Sequence, residues 1–296
     1  MTFLLKTIII LSLTLNLYSS DKNYKFESTY GFTQNGTILN RFKDARVAMK
    51  TWLEDIAESY EGKLTLRFYD NDRVLYNDFK KGKVEMIVLN LPFYFKYESE
   101  INNDAIDLWS IAMSKDRYIK YYLITSKDSG IKSFKDIKNK SISINITDNV
   151  GSIWLDKNSL VYFKASYKDI FSEVHLASKE STALLNVFFK KRDLAVVTKK
   201  TWDTMIELNP GILDKIKIIE ETKQKHLPFI GFFSKYANKT SIDTFFELSE
   251  NLKELKGSRQ IIELLKFDSV FKVEKNSLTG LKNYYREYEF LKKKYK

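Results

Sequence analysis

The chain has 296 residues, of which 44% are hydrophobic and 15% aromatic, with three prolines and ten glycines. This composition is sufficient for packed cores in roughly two domains, so it excludes a disordered chain, and no internal repeat indicates a solenoid or a propeller. The formal charge of +11 raises the question of nucleic acid, but the lysines are spread along the chain without a nucleic-acid-binding motif, so no nucleic-acid partner is expected.

The first twenty residues have the pattern of a secretory signal peptide. Lys6 supplies a positive start, Thr7–Leu17 is an apolar run too short for a spanning helix, and Ser19 and Ser20 are small residues at which cleavage can occur. Because the sequence contains no cysteine, disulfides, thiolate metal sites and a lipidated N-terminal cysteine are excluded. We therefore expect residues 1–20 to be removed and the product to be a soluble periplasmic protein.

The next segment alternates between predicted strands and helices. Tyr24–Tyr30 alternates like a strand, Leu39–Tyr60 has apolar residues at helical spacing, and Gly62 is placed to end that helix. A strand, a short helix and another strand are then predicted at Lys63–Asp70, Asn71–Lys81 and Val84–Leu89. This βαβαβ order predicts a parallel sheet with crossover helices.

Ligands of open α/β sheets bind beyond the carboxyl ends of the strands. By this rule Tyr30 and Thr33, at the end of the first strand, are candidate cleft residues. Asn90 and Tyr94, after the third strand, are candidates for the same reason. Taken singly, Tyr94 fits a packing role better than a ligand contact.

A second strand–helix unit follows. Ala105–Met113 and Tyr118–Ser126 are strand-like, and the latter could carry the chain into another lobe. Ser141–Ile146 alternates as a half-buried strand does, and the following turn, TDNVGS at 147–152, is typical of a helix start. Such a helix N-terminus would present unpaired N–H groups to a small ligand, although an ordinary strand-to-helix connection is the alternative.

The remaining elements complete a two-lobed arrangement. Helices are predicted at Ile153–Phe163, Glu180–Phe189, Thr201–Leu208, Ile242–Leu265 and Leu281–Lys292, and strands at Asp193–Thr198, Ile216–Glu220 and Leu227–Ser234. Extended runs near 118–126 and 227–234 indicate two crossings between lobes. We expect an α/β fold with a central cleft, in which 21–119 and 229–296 form one lobe and 120–228 forms the other.

The sequence does not indicate catalysis. His175 and His226 are the only histidines and have no metal-ligand spacing. No P-loop, nucleophile elbow or dinucleotide fingerprint is present, and no pair of carboxylates is placed as an acid/base couple. We therefore expect no enzyme activity, no metal and no cofactor.

Several blocks of sequence carry a resemblance to a known family. They are DFKKGKVE at 78–85 with NLPFY at 90–94, SFKDIKNK at 133–140, ASKESTAL at 177–184 with RDLA at 192–195, and NP at 209–210 with LPF at 227–229. The chain resembles the substrate-binding proteins of phosphate/phosphonate-type ABC transporters, which have the type 2 periplasmic-binding fold. The resemblance implies a cleft for a small polar, possibly anionic solute, and an ABC permease in the inner membrane as partner.

The resemblance also implies ligand-binding positions on the second lobe. Phosphonate binders hold the phosphonate on a serine/threonine-rich turn, and here Asp148, Asn149 and Ser152 occupy that turn. Lys179 stands where the family often has histidine, and Thr198, at a predicted strand end, completes the candidates. A carboxylate at 148 would repel a dianion, and the alternatives are an amine-bearing ligand, a neutral ligand or a lobe that has lost transport function. We expect a monomer; a periplasmic sensor subunit that passes ligand occupancy to a membrane kinase is the alternative function.

Overall fold

The computed structural model describes residues 23–33, 43–113, 116–265 and 267–295. The strands within these ranges are β1 (Phe26–Thr33), β2 (Gly62–Tyr69), β3 (Met86–Leu89), β4 (Ala105–Ala112), β5 (Tyr121–Ser126), β6 (Ser141–Asn145), β7 (Glu173–Ala177), β8 (Leu194–Thr198), β9 (Ile216–Glu221), β10 (Ile230–Ser234) and β11 (Ser269–Lys272). The helices are α1 (Lys43–Ser59), α2 (Asp72–Lys80), α3 (Leu91–Lys96), α4 (Glu98–Ile101), α5 (Asn149–Phe163), α6 (Tyr167–Ile170), α7 (Glu180–Phe188), α8 (Lys199–Leu208), α9 (Ile212–Lys215), α10 (Lys239–Glu250), α11 (Ser258–Leu265) and α12 (Thr279–Lys294). The predicted signal peptide lies outside the described residues.

The strands form two sheets, and we name each lobe by its sheet. The first lobe has the order β11-β4-β10-β3-β1-β2, with β1 parallel to β2 and β3 and with β10 antiparallel to β3 and β4. The second lobe has the order β7-β6-β8-β5-β9, with β6 parallel to β7 and β8. The predicted α/β fold class is confirmed, as is the parallel βαβαβ unit of the first lobe. The exact residues at which the lobes divide, after 119 and 228, stay a prediction.

Apolar side chains cover each sheet on both faces, as expected for sheets flanked by helices. The first-lobe cluster under α1 and α10 includes Phe26, Met49 and Phe233, and the opposite cluster under α2 and α3 includes Leu75 and Phe232. None of the helices that the structure describes is long and apolar enough to span a membrane.

Gly62 has a different role from the predicted one. Glu61 takes the left-handed conformation at the end of α1, with φ of 56°, and Gly62 is already the first residue of β2. A Cβ atom on Gly62 would lie 2.1 Å from the ring of Phe26. The glycine therefore permits the close contact between β1 and β2. The first residues of the predicted helix, 39–42, lie outside the described residues.

The predicted long helix Ile242–Leu265 is wrong, because the structure has two helices there. A 3₁₀ turn at Leu252–Glu254 separates α10 from α11, and Gly257 has a φ of 74°, which is incompatible with a continuous helix. Trp52 of α1 donates a hydrogen bond of 2.9 Å to the carbonyl of Lys256, which connects the segment between α10 and α11 to α1. The pattern also does not predict β7 and β11, since both are half-exposed edge strands without a clear apolar face.

Two extended crossings join the lobes. At their centre the N–H of Ile119 donates to the carbonyl of His226 over 2.7 Å. Two residues after Ile119, the N–H of Tyr121 donates to Thr222 Oγ1 of the second crossing. The N–H of Thr222 donates back to the carbonyl of Tyr121, and each distance is 3.0 Å. The crossings are therefore paired with each other where they pass between the sheets.

The C-terminal helix α12 contacts both lobes. The ring of Tyr285 stacks on Phe95 of the first lobe with ring centroids 5.5 Å apart. One turn further along, Tyr288 Oη donates a hydrogen bond of 2.8 Å to Asp156 of α5 in the second lobe. Helix α12 is thus a third connection between the lobes, in addition to the two crossings.

A glycine in β10 provides a test of the first-lobe packing. A Cβ atom on Gly231 would lie 2.2 Å from Cε2 of Trp109 in the neighbouring strand. We expect Gly231→Ala to lower the free energy of unfolding by about 1–3 kcal/mol, because the indole must shift within a packed core. Urea unfolding followed by fluorescence measures this. The control is Gly280→Ala near the start of α12, where the nearest atom is 3.5 Å away; equal stability of the two variants would contradict the prediction.

Candidate functional site

The first lobe presents a polar group at the carboxyl ends of its parallel strands. Thr33 ends β1 and donates a hydrogen bond of 3.0 Å from Oγ1 to Asp72 Oδ1, and Asn90, which follows β3, donates from Nδ2 to Asp72 Oδ2. The side-chain oxygen of Asn90 accepts the N–H of Phe93 over 2.9 Å and so caps α3. Each side chain in this group is oriented by a neighbour, which makes it a rigid polar edge.

Asp72 is the charged centre of this first-lobe group. Burial raises the pKa of its carboxyl to about 6, although the hydrogen bonds from Thr33 and Asn90 oppose the shift. Asp72 therefore titrates near neutral pH, and at pH 7 it is a mostly ionised carboxylate held at the N-terminus of α2.

The second lobe places a carboxylate at the N-terminus of α5. Asp148 is the N-cap residue, and its Oδ1 accepts the N–H of Gly151 over 3.0 Å and Tyr121 Oη over 2.8 Å. A Cβ atom on residue 151 would lie 2.3 Å from Asp148 Oδ2 and 2.9 Å from the Tyr121 ring. Glycine at this position therefore allows the carboxylate and the phenol to meet over the helix end.

A second carboxylate lies at the N-terminus of α8. Oε2 of Glu180 accepts hydrogen bonds from Thr198 Oγ1 (2.5 Å), Thr198 N–H (3.1 Å) and Thr201 Oγ1 (2.6 Å). Thr198 is the last residue of β8 and also the N-cap of α8. The side chain of Glu180 therefore accepts the N–H of the N-cap residue and two hydroxyls, while the N–H of Thr201 donates to Thr198 Oγ1.

Tyr121 connects these second-lobe groups. Its side chain is 2% exposed. Burial first, and then the nearby charges of Asp148 and Glu180, raise the pKa of its phenol well above the usual value. Tyr285 of α12 also lies near Asp148, whose charge adds to burial and to the effect of Tyr284 in raising the pKa of the Tyr285 phenol. Both phenols are therefore neutral at physiological pH.

Two of the predicted site residues have side chains in the first-lobe cores. Tyr30 is buried, and its Oη lies 3.0 Å from Ser241 Oγ on α10. Tyr94 is fully buried and donates from Oη to Asn102 over 3.3 Å. Along β1 successive side chains point to opposite faces, so Tyr30 and Thr33 cannot both point the same way. The structure does not bring the Tyr30 and Tyr94 side chains to the polar edge.

The other predicted residues of the second lobe differ in their exposure. Asn149, the first residue of α5, is exposed, and Ser152 donates from Oγ to the carbonyl of Asp148 over 2.8 Å. Lys179 is exposed and precedes α7 without a side-chain cap hydrogen bond. Asp148 and Thr198 are therefore the predicted second-lobe residues whose side chains take part in the two carboxylate groups, Asp148 with Tyr121 and Thr198 with Glu180.

Sequence reasoning missed three members of these groups: Asp72, Tyr121 and Glu180. Asp72 follows β2 and obeys the strand-end rule that selected Thr33, so the same signal was available for it. Glu180 begins α7, next to the predicted Lys179. Tyr121 carries no local signal, because only the packing of β5 beside α5 places its phenol on Asp148. Among the described residues, no group of three or more histidines and carboxylates is arranged to hold a metal ion.

Comparison with known proteins places the chain in a family. The model of the family described as "ABC transporter, phosphonate, periplasmic substrate-binding protein" matches residues 41–255. No curated protein sequence matches the chain.

Solved structures show the same fold at low sequence identity. PhnD1 from Prochlorococcus marinus, in complex with methylphosphonate, is 10% identical, with a TM-score of 0.59 over 89% of this chain and 98% of that one. A binding protein component of an ABC phosphonate transporter from Pseudomonas aeruginosa is 12% identical, with a TM-score of 0.57 over 91% and 89%. XAC2383 from Xanthomonas citri, bound to ATP, is 9% identical, with a TM-score of 0.61 over 90% and 98%. Because the family model matches most of the chain, the protein belongs to the phosphonate-type periplasmic substrate-binding proteins of ABC transporters.

Proposed function

We propose that this binding protein captures a small polar solute between the Asp72 group of the first lobe and the Asp148 group of the second lobe. The proposed contacts include Thr33, Asn90 and Asp148. Asn149, Ser152, Lys179 and Thr198 surround them on the second lobe, and Tyr30 and Tyr94 support the first-lobe wall from its cores. We further propose that the solute does not present a phosphonate dianion to α5.

The position of the cleft is supported by the fold. Both polar groups follow the carboxyl ends of parallel strands, where ligands of α/β sheets bind. The two crossings and α12 bring the lobes together, and Ile153 of α5 packs against the first-lobe core. The start of α5 therefore lies next to the first lobe, as a cleft between the lobes requires.

The arrangement of Asp148 is the observation that carries the proposed ligand class. The N-terminus of a helix attracts anions because its N–H groups are unpaired and its dipole is positive there. In this chain the Asp148 carboxylate already accepts the N–H of Gly151 and the hydroxyl of Tyr121. An anionic ligand at this helix end would have to compete with a charge that is covalently attached to it.

The electrostatic repulsion between Asp148 and an anionic ligand is large enough to change which ligands are bound. Two like charges a few ångströms apart repel by roughly a few kcal/mol at the effective dielectric of a partly wet site. That energy corresponds to about two orders of magnitude or more in a dissociation constant. Glu180 adds a second carboxylate near Tyr121. A neutral solute, or one that brings an ammonium group, avoids this repulsion.

The family assignment gives the partners, a small molecule and an ABC permease. We propose that the protein acts as a monomer that is exported and released into the periplasm. The signal pattern in residues 1–20 supports the export.

Our first functional prediction is weak or absent binding of phosphate and methylphosphonate, measured by calorimetry on protein that has been unfolded and refolded to remove bound solute. Asp148→Ser should strengthen any such binding, because serine still caps the helix but carries no charge. Lys179→Ala should weaken it, because a nearby positive charge is lost. Asp148→Asn removes the charge but keeps the shape and one acceptor oxygen, so it distinguishes the effect of charge from the effect of shape. Tight binding of methylphosphonate by the unmodified protein would contradict the proposed ligand class.

The raised pKa of Asp72 predicts a pH dependence of stability. A carboxyl that is protonated more readily in the folded state stabilises the fold below its unfolded pKa of 3.8, and this contribution is lost as the pH rises to about 6. Asp72→Asn should remove this loss, which amounts to no more than about 3 kcal/mol. Urea unfolding between pH 4 and pH 7.5 tests it. Asp55→Asn, at an exposed position on α1, controls for the loss of one charge; parallel pH profiles for the wild type and Asp72→Asn would contradict the prediction.

If the protein is exported, its signal peptide should be removed. Because Lys6 and the apolar run up to Leu17 form a signal pattern, the mature chain should lack about twenty N-terminal residues. Intact-mass measurement of the periplasmic fraction tests this. A full-length product in the membrane fraction would show that the segment is an uncleaved anchor.

A further inference from the structure

A set of buried polar atoms lies between the lobes without hydrogen-bond partners among the described residues. They are both ring nitrogens of His226 and the hydroxyls of Tyr284 and Tyr285. His226 is 0% exposed and Tyr285 is 2% exposed. An unpaired buried polar group costs about 1–3 kcal/mol, and native proteins leave few of them. Four such atoms in one region are therefore available for a hydrogen-bond partner outside the polypeptide.

These atoms lie next to the Asp148 group. The ring centroid of His226 is 5.0 Å from that of Tyr284 and 6.2 Å from that of Tyr121, the residue that donates to Asp148. The rings of Tyr284 and Tyr285 are 5.7 Å apart. His226 belongs to the second crossing and the two tyrosines to α12, so together they form a wall at the hinge side of the proposed cleft.

Helix α12 is held firmly on both sides of this wall. Lys282 forms an ion pair of 2.5 Å with Glu98 in the first lobe. On the second lobe, Glu287 pairs with Lys157 over 2.7 Å, and the Lys157 ammonium lies 3.7 Å from the centre of the Tyr284 ring. These contacts fix α12 on either side of the tyrosines, whose rings pack in or against the first-lobe core. The hydroxyls are therefore preorganised for a bound molecule.

The chemistry of the wall is that of neutral donors and acceptors. Burial, and then the charge of Lys157, lower the pKa of His226 to about 4, so its ring is neutral at pH 7 and offers one donor and one acceptor. The phenols of Tyr284 and Tyr285 are neutral as well. Lys157, the cation whose charge acts on His226, is already engaged by Glu287 and the Tyr284 ring.

We propose that α12 and the second crossing complete the solute site, with Tyr285, Tyr284 and His226 binding an uncharged polar group of the solute, such as a hydroxyl, carbonyl or amide. The inference rests on the proposed function, because it places the solute in the same cleft. It adds a wall from the C-terminal helix and names the part of the ligand that this wall recognises.

The first test is a crystal structure of the protein purified without unfolding, at a resolution that distinguishes water from solute. We expect solute atoms within hydrogen-bonding distance of Tyr285 Oη and of a ring nitrogen of His226. A solute that contacts Thr33, Asn90 or Asp148 but not this wall would overturn the inference and leave the proposed function intact. Water alone at the four atoms, or a direct bond between them, would overturn the inference as well.

The second test measures affinity for the solute identified in that structure. Tyr285→Phe should weaken its binding about 3- to 10-fold, the effect of one lost neutral hydrogen bond. The unfolding midpoint of the solute-free variant should be unchanged or higher, because an unpaired hydroxyl is removed. Tyr76→Phe is the matched control, since Tyr76 Oη is also buried and unpaired, but the Tyr76 ring lies against Phe79 and Phe93 rather than beside Tyr284 and Asp148. Equal affinities of Tyr285→Phe and Tyr76→Phe would overturn the inference.

Discussion

The bond between the Asp148 carboxylate and the start of α5 is the interaction on which the site depends. It joins three parts of the second lobe: the end of β6, the first turn of α5 and, through Tyr121, the beginning of β5. Gly151 leaves the space in which these groups meet. A carboxylate at a helix N-terminus is favourable by itself, and burial of the Tyr121 phenol makes its hydrogen bond to Asp148 costly to break. The electrostatic character of the cleft is therefore part of how the lobe is held together.

Helix α12 connects the Asp148 group to the contacts that hold the two lobes together. Its first half packs in the first-lobe core, through Leu281 and Tyr285, and its second half bonds to α5 through Tyr288 and Asp156. Asp156 also accepts from the N–H of Tyr167, so it joins α12 to α6 as well as to α5. Opening of the cleft about the two crossings must either carry α12 with one lobe or break its contacts to the other. Any opening of the cleft is thus coupled to the same helix that borders Asp148.

More of the fold than of the candidate site could be predicted from the sequence. The βαβαβ order and the two extended crossings follow from periodicity, because each element buries one face. Thr33 and Asn90 were selected by the local rule for strand ends, whereas Asp148 was selected by the resemblance to phosphonate binders. The rule gives a position along a strand but not the direction of a side chain, and Tyr30 and Tyr94 are consequently in the cores. Nothing local in the sequence could place Tyr285 beside residue 148, since that contact depends on how the lobes pack.

The residues that define the family are different from the residues that decide which ligand is bound. Family membership rests on a pattern spread over residues 41–255, most of which builds sheets and cores, whereas ligand charge is decided by a few side chains at helix ends. Here the N–H of Gly151 is matched by Asp148, and the N–H and hydroxyl of Thr198 at the start of α8 are matched by Glu180. Donors that are already paired give an incoming anion little gain, because it must first displace a carboxylate held at high effective concentration. The buried donors on Tyr284, Tyr285 and His226, which have no partner among the described residues, are neutral. Selection of the solute is therefore expected to depend on hydrogen-bond geometry at the hinge side of the cleft more than on attraction of charge.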